Sequence, residues 1–181
     1  MYKVKKFMKL NVLKKKLFFV IATLIFFSVA NSEEKKISES EHEFNFYTGM
    51  FDFSDTGKSS AILGLQHQNE DLYRESFLGT LSPITGALIT ADNATYFYTG
   101  VQAEYTIGKI NFNPSFTPGL YNEGSGKDLG HVLEFKTEVQ LSFDLMQNSE
   151  LGFSYNHISN ASLSDTNPGA NSYMFNFLKK F

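Results

Sequence analysis

The chain has 181 residues, a formal net charge of −3, no cysteine, and an aromatic content of 15% made up of 19 Phe and 9 Tyr. A chain of this length suits a single domain. The lack of cysteine excludes a disulfide-stapled secreted domain and a lipoprotein.

The N-terminal segment has the three parts of a secretory signal peptide. Residues 1–16 carry seven lysines and no acidic residue, and an apolar run of 14 residues, LFFVIATLIFFSVA, extends from Leu17 to Ala30. A membrane anchor needs about 20 apolar residues to span a bilayer, so this run is too short for one. Ala30 and Ser32 are the small residues that a cleavage site requires. We therefore predict a signal peptide over residues 1–32, cut after Ser32.

Removal of this signal changes the charge balance of the chain. Residues 33–181 keep nine basic residues against 19 acidic ones, a net charge of −10. Binding to a phosphate backbone needs a basic surface, so no nucleic-acid partner is expected. Residues 33–42 form a polar lead-in without an evident element, and residues 43–181 are predicted to form one domain.

This domain shows the alternation of β-strands and no sustained apolar stripe at helical spacing. The pattern is clearest over residues 131–145, HVLEFKTEVQLSFDL, where apolar residues alternate with polar or charged ones. Strands of this length are uncommon in soluble sandwiches. In an outer-membrane barrel the apolar face contacts lipid and the charged face lines the lumen. Glu134, Lys136 and Glu138 are therefore expected to form a charge network in the lumen.

The remaining segments complete an all-β fold, an eight-stranded antiparallel transmembrane β-barrel of the outer-membrane type. Its last strand places Tyr173, Phe175 and Phe177 on the same face as Phe181, as in the aromatic girdle of a barrel. This ending also resembles the signal that barrel-assembly machinery reads in bacterial outer-membrane proteins. Residues 119–130 are predicted to be a loop. The predicted strands are 43–53, 59–68, 74–82, 95–106, 109–117, 131–145, 148–159 and 171–181.

One histidine and one serine fall on the lipid-facing side of a predicted strand. His157 and Ser159 share a face with Leu151, Phe153 and Tyr155, so we expect both on the outer wall near one rim. Unpaired polar groups are unfavourable against hydrocarbon. A hydrolase that acts on a membrane lipid could use them, with the histidine taking the serine proton as general base. The spacing alone also fits simple interfacial polarity or a turn.

The sequence HISNA at residues 157–161, followed by Asn167-Pro168-Gly169 and an aromatic last strand, resembles the C-terminal signature of the lipid A 3-O-deacylase (PagL-like) family. The resemblance implies a barrel that removes the ester-linked acyl chain at position 3 of lipid A. It further implies that Ser159 is the nucleophile, His157 the base and Asn160 a donor to the oxyanion. The implied partner is lipopolysaccharide in the outer leaflet of the bacterial outer membrane. A homodimer stays open.

The third member of the implied triad departs from the family pattern. The family has a glutamate two residues beyond the Pro-Gly of the turn, and this chain has Asn171 there. An amide oxygen can accept the Nδ1 hydrogen bond of a histidine, but it brings no negative charge. Three alternatives follow: an enzyme that uses Asn171, one that uses Asp165 as a substitute acid, or a degenerate relative.

Two hypotheses for the function stand at this point. The first is a serine esterase that acts on lipid A. The second is a non-catalytic eight-stranded barrel with a structural or adhesive role, which the missing glutamate keeps open. A narrow pore is disfavoured because side chains fill the interior of an eight-stranded barrel. No phosphate loop, G-x-S-x-G or zinc motif is present, and no cofactor or metal is expected.

Overall fold

The computed structural model describes residues 42–55, 57–76 and 78–181. The predicted signal peptide and almost all of the polar lead-in lie outside the described residues. No helix among the described residues is long and apolar enough to cross a bilayer.

Antiparallel strands account for most of the described chain, together with one short 3-10 helix, η1, at Glu70–Leu72. The strands, in chain order, are β1 His42–Phe51, β2 Ser60–Asn69, β3 Arg74–Ser76, β4 Gly79–Thr90, β5 Thr95–Ala103, β6 Tyr105–Ile107, β7 Ile110–Asn122, β8 Leu133–Met146, β9 Ser149–Ser159 and β10 Ala170–Lys180.

Eight of these strands close into a barrel. The hydrogen-bonded order runs β2-β1-β10-β9-β8-β7-β5-β4, and β4 pairs with β2 to complete the circle. The short strands β3 and β6 add to the edges of β4 and β7 without entering the closed path. The predicted eight-stranded antiparallel barrel is confirmed. Closure leaves no free edge along the eight strands.

The side chains of β8 alternate between lumen and exterior as its sequence predicts. Glu134, Lys136 and Glu138 are buried inside, whereas Val139 and Leu141 are exposed on the outer wall. The Lys136 ammonium lies 3.1 Å from the Glu138 carboxylate. The Lys136–Glu138 part of the predicted luminal network is therefore present, whereas Glu134 lies buried in the lumen without an ion pair to Lys136. Each charge of the Lys136–Glu138 pair stabilises the other, because an isolated charge in the interior would be strongly unfavourable.

The half of the lumen next to the β4–β5 turn is filled mainly by tyrosine rings. Tyr96 and Tyr98 stack with their centroids 5.4 Å apart, and the Tyr47 hydroxyl lies 3.1 Å from that of Tyr98. A Cβ on Gly64 would lie within 2.4 Å of the Tyr47 ring, so only glycine leaves room for this ring. The interior is therefore packed, as expected for eight strands.

Two sequence predictions about boundaries were wrong. The predicted strand 74–82 straddles β3 and the start of β4, which continues to Thr90. The predicted loop 119–130 begins too early, because β7 continues to Asn122. Gly119 lies where a Cβ would be 2.6 Å from atoms of the Tyr96 ring. This glycine marks a close approach inside the barrel and not a turn.

The two ends of the barrel differ in their connections. At the end where β1 begins and β10 finishes, the connections between barrel strands span residues 70–78 (with β3), 104–109 (with β6) and 147–148. At the opposite end the connections span residues 52–59, 91–94, 123–132 and 160–169. His157 and Ser159, at the end of β9, lie at this longer-looped end.

Candidate active site

His157 and Ser159 lie on the outer wall of the barrel at the end of β9. Their neighbours Ile158 and Asn160 are fully buried, whereas His157 and Ser159 are partly exposed on the opposite face of the strand. In the register of the sheet, His157 faces Asn171 of β10 and Ser159 faces Phe135 of β8. The predicted outward placement of both side chains near one rim is therefore observed.

His157 is oriented by the residue that stands in place of the family glutamate. Its Nδ1 atom lies 2.8 Å from the Asn171 side-chain oxygen. The Tyr155 hydroxyl donates to the same oxygen at 2.8 Å, and the Asn171 amide nitrogen donates to Ser54 Oγ at 3.2 Å. The amide is therefore held from both of its ends. With its oxygen accepting the Nδ1 proton, the Nε2 atom of His157 is left as the basic nitrogen.

Gly169 closes the space behind the imidazole ring. Its φ of +64° is a left-handed conformation that favours glycine. An added Cβ would lie 2.8 Å from His157 Cε1 and 3.3 Å from Nε2. The Pro168-Gly169 turn thus lets the start of β10 pass close to the ring.

Asn160 makes contacts that differ from those implied by the family resemblance. Its side chain is fully buried, on the opposite face of the chain from Ser159. The amide nitrogen donates to Leu129 O at 2.8 Å, Thr166 O at 2.9 Å and Ser164 Oγ at 3.1 Å. These bonds fasten the 160–169 loop to the 123–132 loop. The oxyanion role of Asn160 stays a prediction, and these contacts count against it because both amide protons are already engaged.

The other predicted members of the site are less closely joined. Asp165 is exposed in the 160–169 loop, and no hydrogen bond or ion pair links it to His157 within the described ranges. No hydrogen bond joins Ser159 Oγ to His157 in this part of the chain either. Catalytic hydrogen bonds are often loose without substrate and shorten when it binds. Asn171 is thus the residue that contacts the base.

Three further residues reach this site from distant parts of the sequence. Asp52 and Ser54 belong to the 52–59 loop after β1, and Lys127 belongs to the 123–132 loop. The buried Asp52 carboxylate lies 2.5 Å from the Lys127 ammonium and accepts from the Asn171 backbone N–H at 3.3 Å. Sequence reasoning missed these residues because they come together only in the fold. Pairing of β1 with β10 brings Asp52 and Ser54 to Asn171. The 123–132 loop brings Lys127 to Asp52.

The loop around Asp52 also holds an exposed carboxylate with altered acidity. The backbone N–H of Gly57 and the Lys127 ammonium both stabilise the Asp55 carboxylate, which lowers the pKa of that group. Lys127 lies 3.4 Å from Asp55. Over residues 42–55, 57–76 and 78–181, no group of three or more His, Asp or Glu side chains is arranged to hold a metal ion.

Comparison with known proteins identifies the family of the chain and the fold that it shares with known structures. The family model described as "Lipid A 3-O-deacylase (PagL)" matches residues 60–180. No curated protein sequence matches the chain. The crystal structure of the outer membrane enzyme PagL superposes with a TM-score of 0.58 at 17% identity, covering 76% of this chain and 98% of that one.

A structure from the de novo design of transmembrane β-barrels superposes with a TM-score of 0.51 at 10% identity, covering 82% of this chain and 100% of that one. At these identities the structural likeness shows the barrel fold alone. The family match extends from β2 to the end of β10 and includes the His157 and Ser159 positions. The chain therefore belongs to the lipid A 3-O-deacylase (PagL) family of the bacterial outer membrane.

Proposed function

We propose that this protein is an active esterase that hydrolyses the acyl ester at position 3 of lipid A, with Ser159 as nucleophile, His157 as base and Asn171 as the orienting residue. One observation carries the proposal. The His157 Nδ1 atom is 2.8 Å from the Asn171 oxygen, on the outer wall beside Ser159. This contact leaves Nε2 free to take a proton from a serine hydroxyl.

The position of the site in the barrel supports a lipid substrate. Longer loops of outer-membrane barrels face outward and short turns face the periplasm. His157 and Ser159 lie at the end with the 123–132 and 160–169 connections, which supports a location at the level of the outer leaflet. The exposed rings of Phe153 and Phe175 continue down the same wall. A lipid acyl chain could lie along this apolar surface while its ester group reaches Ser159.

The chemistry follows the acyl-transfer pattern of serine hydrolases. His157 Nε2 accepts the Ser159 proton as Oγ attacks the ester carbonyl. The resulting tetrahedral intermediate collapses, and the protonated imidazole returns its proton to the departing sugar oxygen. Water then attacks the acyl-Ser159 ester with the same base. The products are a free hydroxy fatty acid and lipid A with a hydroxyl group at position 3.

Asn171 distinguishes this site from that of a family member with glutamate. An amide oxygen orients His157 but supplies no charge to stabilise the imidazolium. In a serine protease, replacing the orienting Asp by Asn lowers kcat by about 10⁴, through the wrong histidine tautomer. Here the amide oxygen faces Nδ1, which supports the tautomer that carries its proton on Nδ1 and leaves Nε2 basic. We therefore propose that Asn171 supports turnover and that Asp165 has no part in it.

Delivery to the membrane belongs to the same proposal. The signal peptide over residues 1–32 directs export, and the barrel-assembly machinery inserts the chain by its aromatic last strand. N-terminal sequencing of the protein from outer membranes should begin at Glu33. A mature protein that retains the apolar run Leu17–Ala30 would contradict this part.

The reaction can be tested with the purified protein and purified lipopolysaccharide. Fatty-acid release and the mass of the remaining lipid A are followed for the wild type, Ser159→Ala and Ser162→Ala. Ser162 is a matched control because it is an exposed serine in the 160–169 loop, three residues after Ser159. We expect loss of one hydroxyacyl chain with the wild type and Ser162→Ala, and none with Ser159→Ala.

The variant Asn171→Glu separates the remaining alternatives. Activity in Asn171→Glu but none in the folded wild type would identify a degenerate deacylase. No activity in either protein, with correct folding shown by gel mobility without heating, would favour the non-catalytic barrel.

A further inference from the structure

A buried carboxylate lies behind Asn171, on the side away from His157. Asp52 is 1% exposed at the start of the 52–59 loop. Its Oδ1 atom accepts from the Ser54 hydroxyl at 3.4 Å and from the Asn171 backbone N–H at 3.3 Å. Ser54 Oγ in turn accepts from the Asn171 side-chain amide at 3.2 Å. A continuous hydrogen-bond chain therefore runs from Asp52 through Ser54 and Asn171 to His157.

The Asp52 carboxylate, at one end of this hydrogen-bond chain, fixes the direction of every hydrogen bond in it. This carboxylate, which is paired with the Lys127 ammonium, accepts in its bond with Ser54, so the Ser54 hydroxyl donates its single proton to Asp52. Ser54 Oγ can then only accept from Asn171, which requires the NH₂ group of the amide to point toward it. The amide oxygen must consequently point toward His157, and Nδ1 must carry the proton. Every donor in the chain points toward Asp52.

We infer that Asp52 and Ser54 are positioning residues that fix the flip of the Asn171 amide and, through it, the tautomer of His157. The inference rests on the proposed function, since it assigns a role within the same site. An amide differs from a carboxylate in that its two ends are unlike. A triad that uses asparagine therefore needs hydrogen-bond partners that turn the amide oxygen toward the histidine. A triad that uses glutamate does not need them.

The ion pair between Lys127 and Asp52 indicates that Asp52 and Ser54 act by orienting the Asn171 amide and not by adding negative charge near His157. The Lys127 ammonium lies 2.5 Å from Asp52 Oδ2, so the pair carries little net charge toward His157. The other donor to Asn171, the Tyr155 hydroxyl, does not fix the flip by itself, because a phenol can donate or accept. Selection of the amide oxygen thus falls to the Ser54–Asp52 branch.

A double-mutant cycle tests this role in the full-length protein with purified lipopolysaccharide. We expect Ser54→Ala to lower kcat by at least about tenfold, the effect of losing one orienting hydrogen bond. Ser54→Thr keeps the hydroxyl and should restore the rate. In the Asn171→Glu background, Ser54→Ala should change kcat less than about twofold, because both carboxylate oxygens accept. Equal losses in the two backgrounds would overturn the inference.

A second readout does not depend on turnover. Nitrogen-15 NMR of histidine-labelled protein should show the Nδ1-protonated tautomer of His157 in the wild type and in Ser54→Thr. Ser54→Ala should give a mixture of tautomers. An unchanged tautomer in Ser54→Ala would refute the inference even if the enzyme were active. If no protein turned over lipid A, the proposed function would fail, and the tautomer ratio would still decide the role of Ser54.

Discussion

Replacement of Gly169 by alanine would push a methyl group against the His157 imidazole. The new Cβ would lie 2.8 Å from His157 Cε1, whereas ordinary contacts of this kind begin at 3.4 Å. The ring would therefore have to retreat by about 0.6 Å. The left-handed φ of +64° adds about 1–2 kcal/mol of backbone strain for a residue with a Cβ.

Misplacement of a catalytic group by about 1 Å can lower a rate by about 10²-fold. We expect Gly169→Ala to lower kcat by roughly ten- to a hundredfold on that scale. The assay is the initial rate of fatty-acid release from purified lipopolysaccharide, with urea unfolding in parallel to give the free energy of unfolding.

Gly108→Ala is the matched control for backbone strain. Gly108 has a φ of +66°, and nothing lies within 4 Å of its added Cβ. It lies between β6 and β7 at the far end of the barrel. Both variants should lose similar stability, but only Gly169→Ala should lose activity. Wild-type activity in Gly169→Ala would refute the assignment of His157, at its observed position, as the base.

Three other perturbations have effects that can be estimated from the structure. Asn160→Ala removes several buried hydrogen bonds and should lower the free energy of unfolding by about 2–4 kcal/mol, measured in urea; a smaller loss would mean that the amide does not hold the loops together. Lys136→Met leaves the Glu138 carboxylate buried without its ion pair and should lower the free energy of unfolding by about 3–5 kcal/mol. The double change Lys136→Met with Glu138→Leu should recover most of that loss, and no recovery would contradict the pairing. Val139 is exposed on the outer wall in the middle of β8, so Val139→Arg should lower the free energy of unfolding in vesicles by about 2–4 kcal/mol, the cost of an arginine at the bilayer midplane. A variant as stable in vesicles as the wild type would contradict a lipid contact at this position.

The barrel could be predicted from the sequence because its outer wall is apolar and the half of its lumen next to the β8–β9 turn is polar. β8 carries this contrast along its whole length, and its strand boundaries were predicted to within two residues. The prediction failed over β4, where Ile84 and Leu88 face the lumen. Because Ala87 and Ile89 on the other face of β4 are apolar too, the apolar–polar alternation that marks a strand is interrupted there.

Only the part of the candidate site that lies on the neighbouring strands β9 and β10 could be predicted from the sequence. The spacing of His157 and Ser159 placed them on one face, and the resemblance brought Asn171 to them. Asp52 and Ser54 lie more than 115 residues away from Asn171, and no local pattern connects them. Their contact arises because β1 and β10 are hydrogen-bonded neighbours in the closed barrel, which is a property of the fold and not of either segment.

Mass spectrometry of lipid A from Gram-negative cells that make this protein tests the central claim most directly. Wild-type protein in the outer membrane should remove one hydroxyacyl mass from lipid A, and Ser159→Ala, inserted at the same level, should leave lipid A unchanged. Removal of the same acyl chain by Ser159→Ala would contradict the account, as would unchanged lipid A in cells that contain the correctly inserted wild-type barrel.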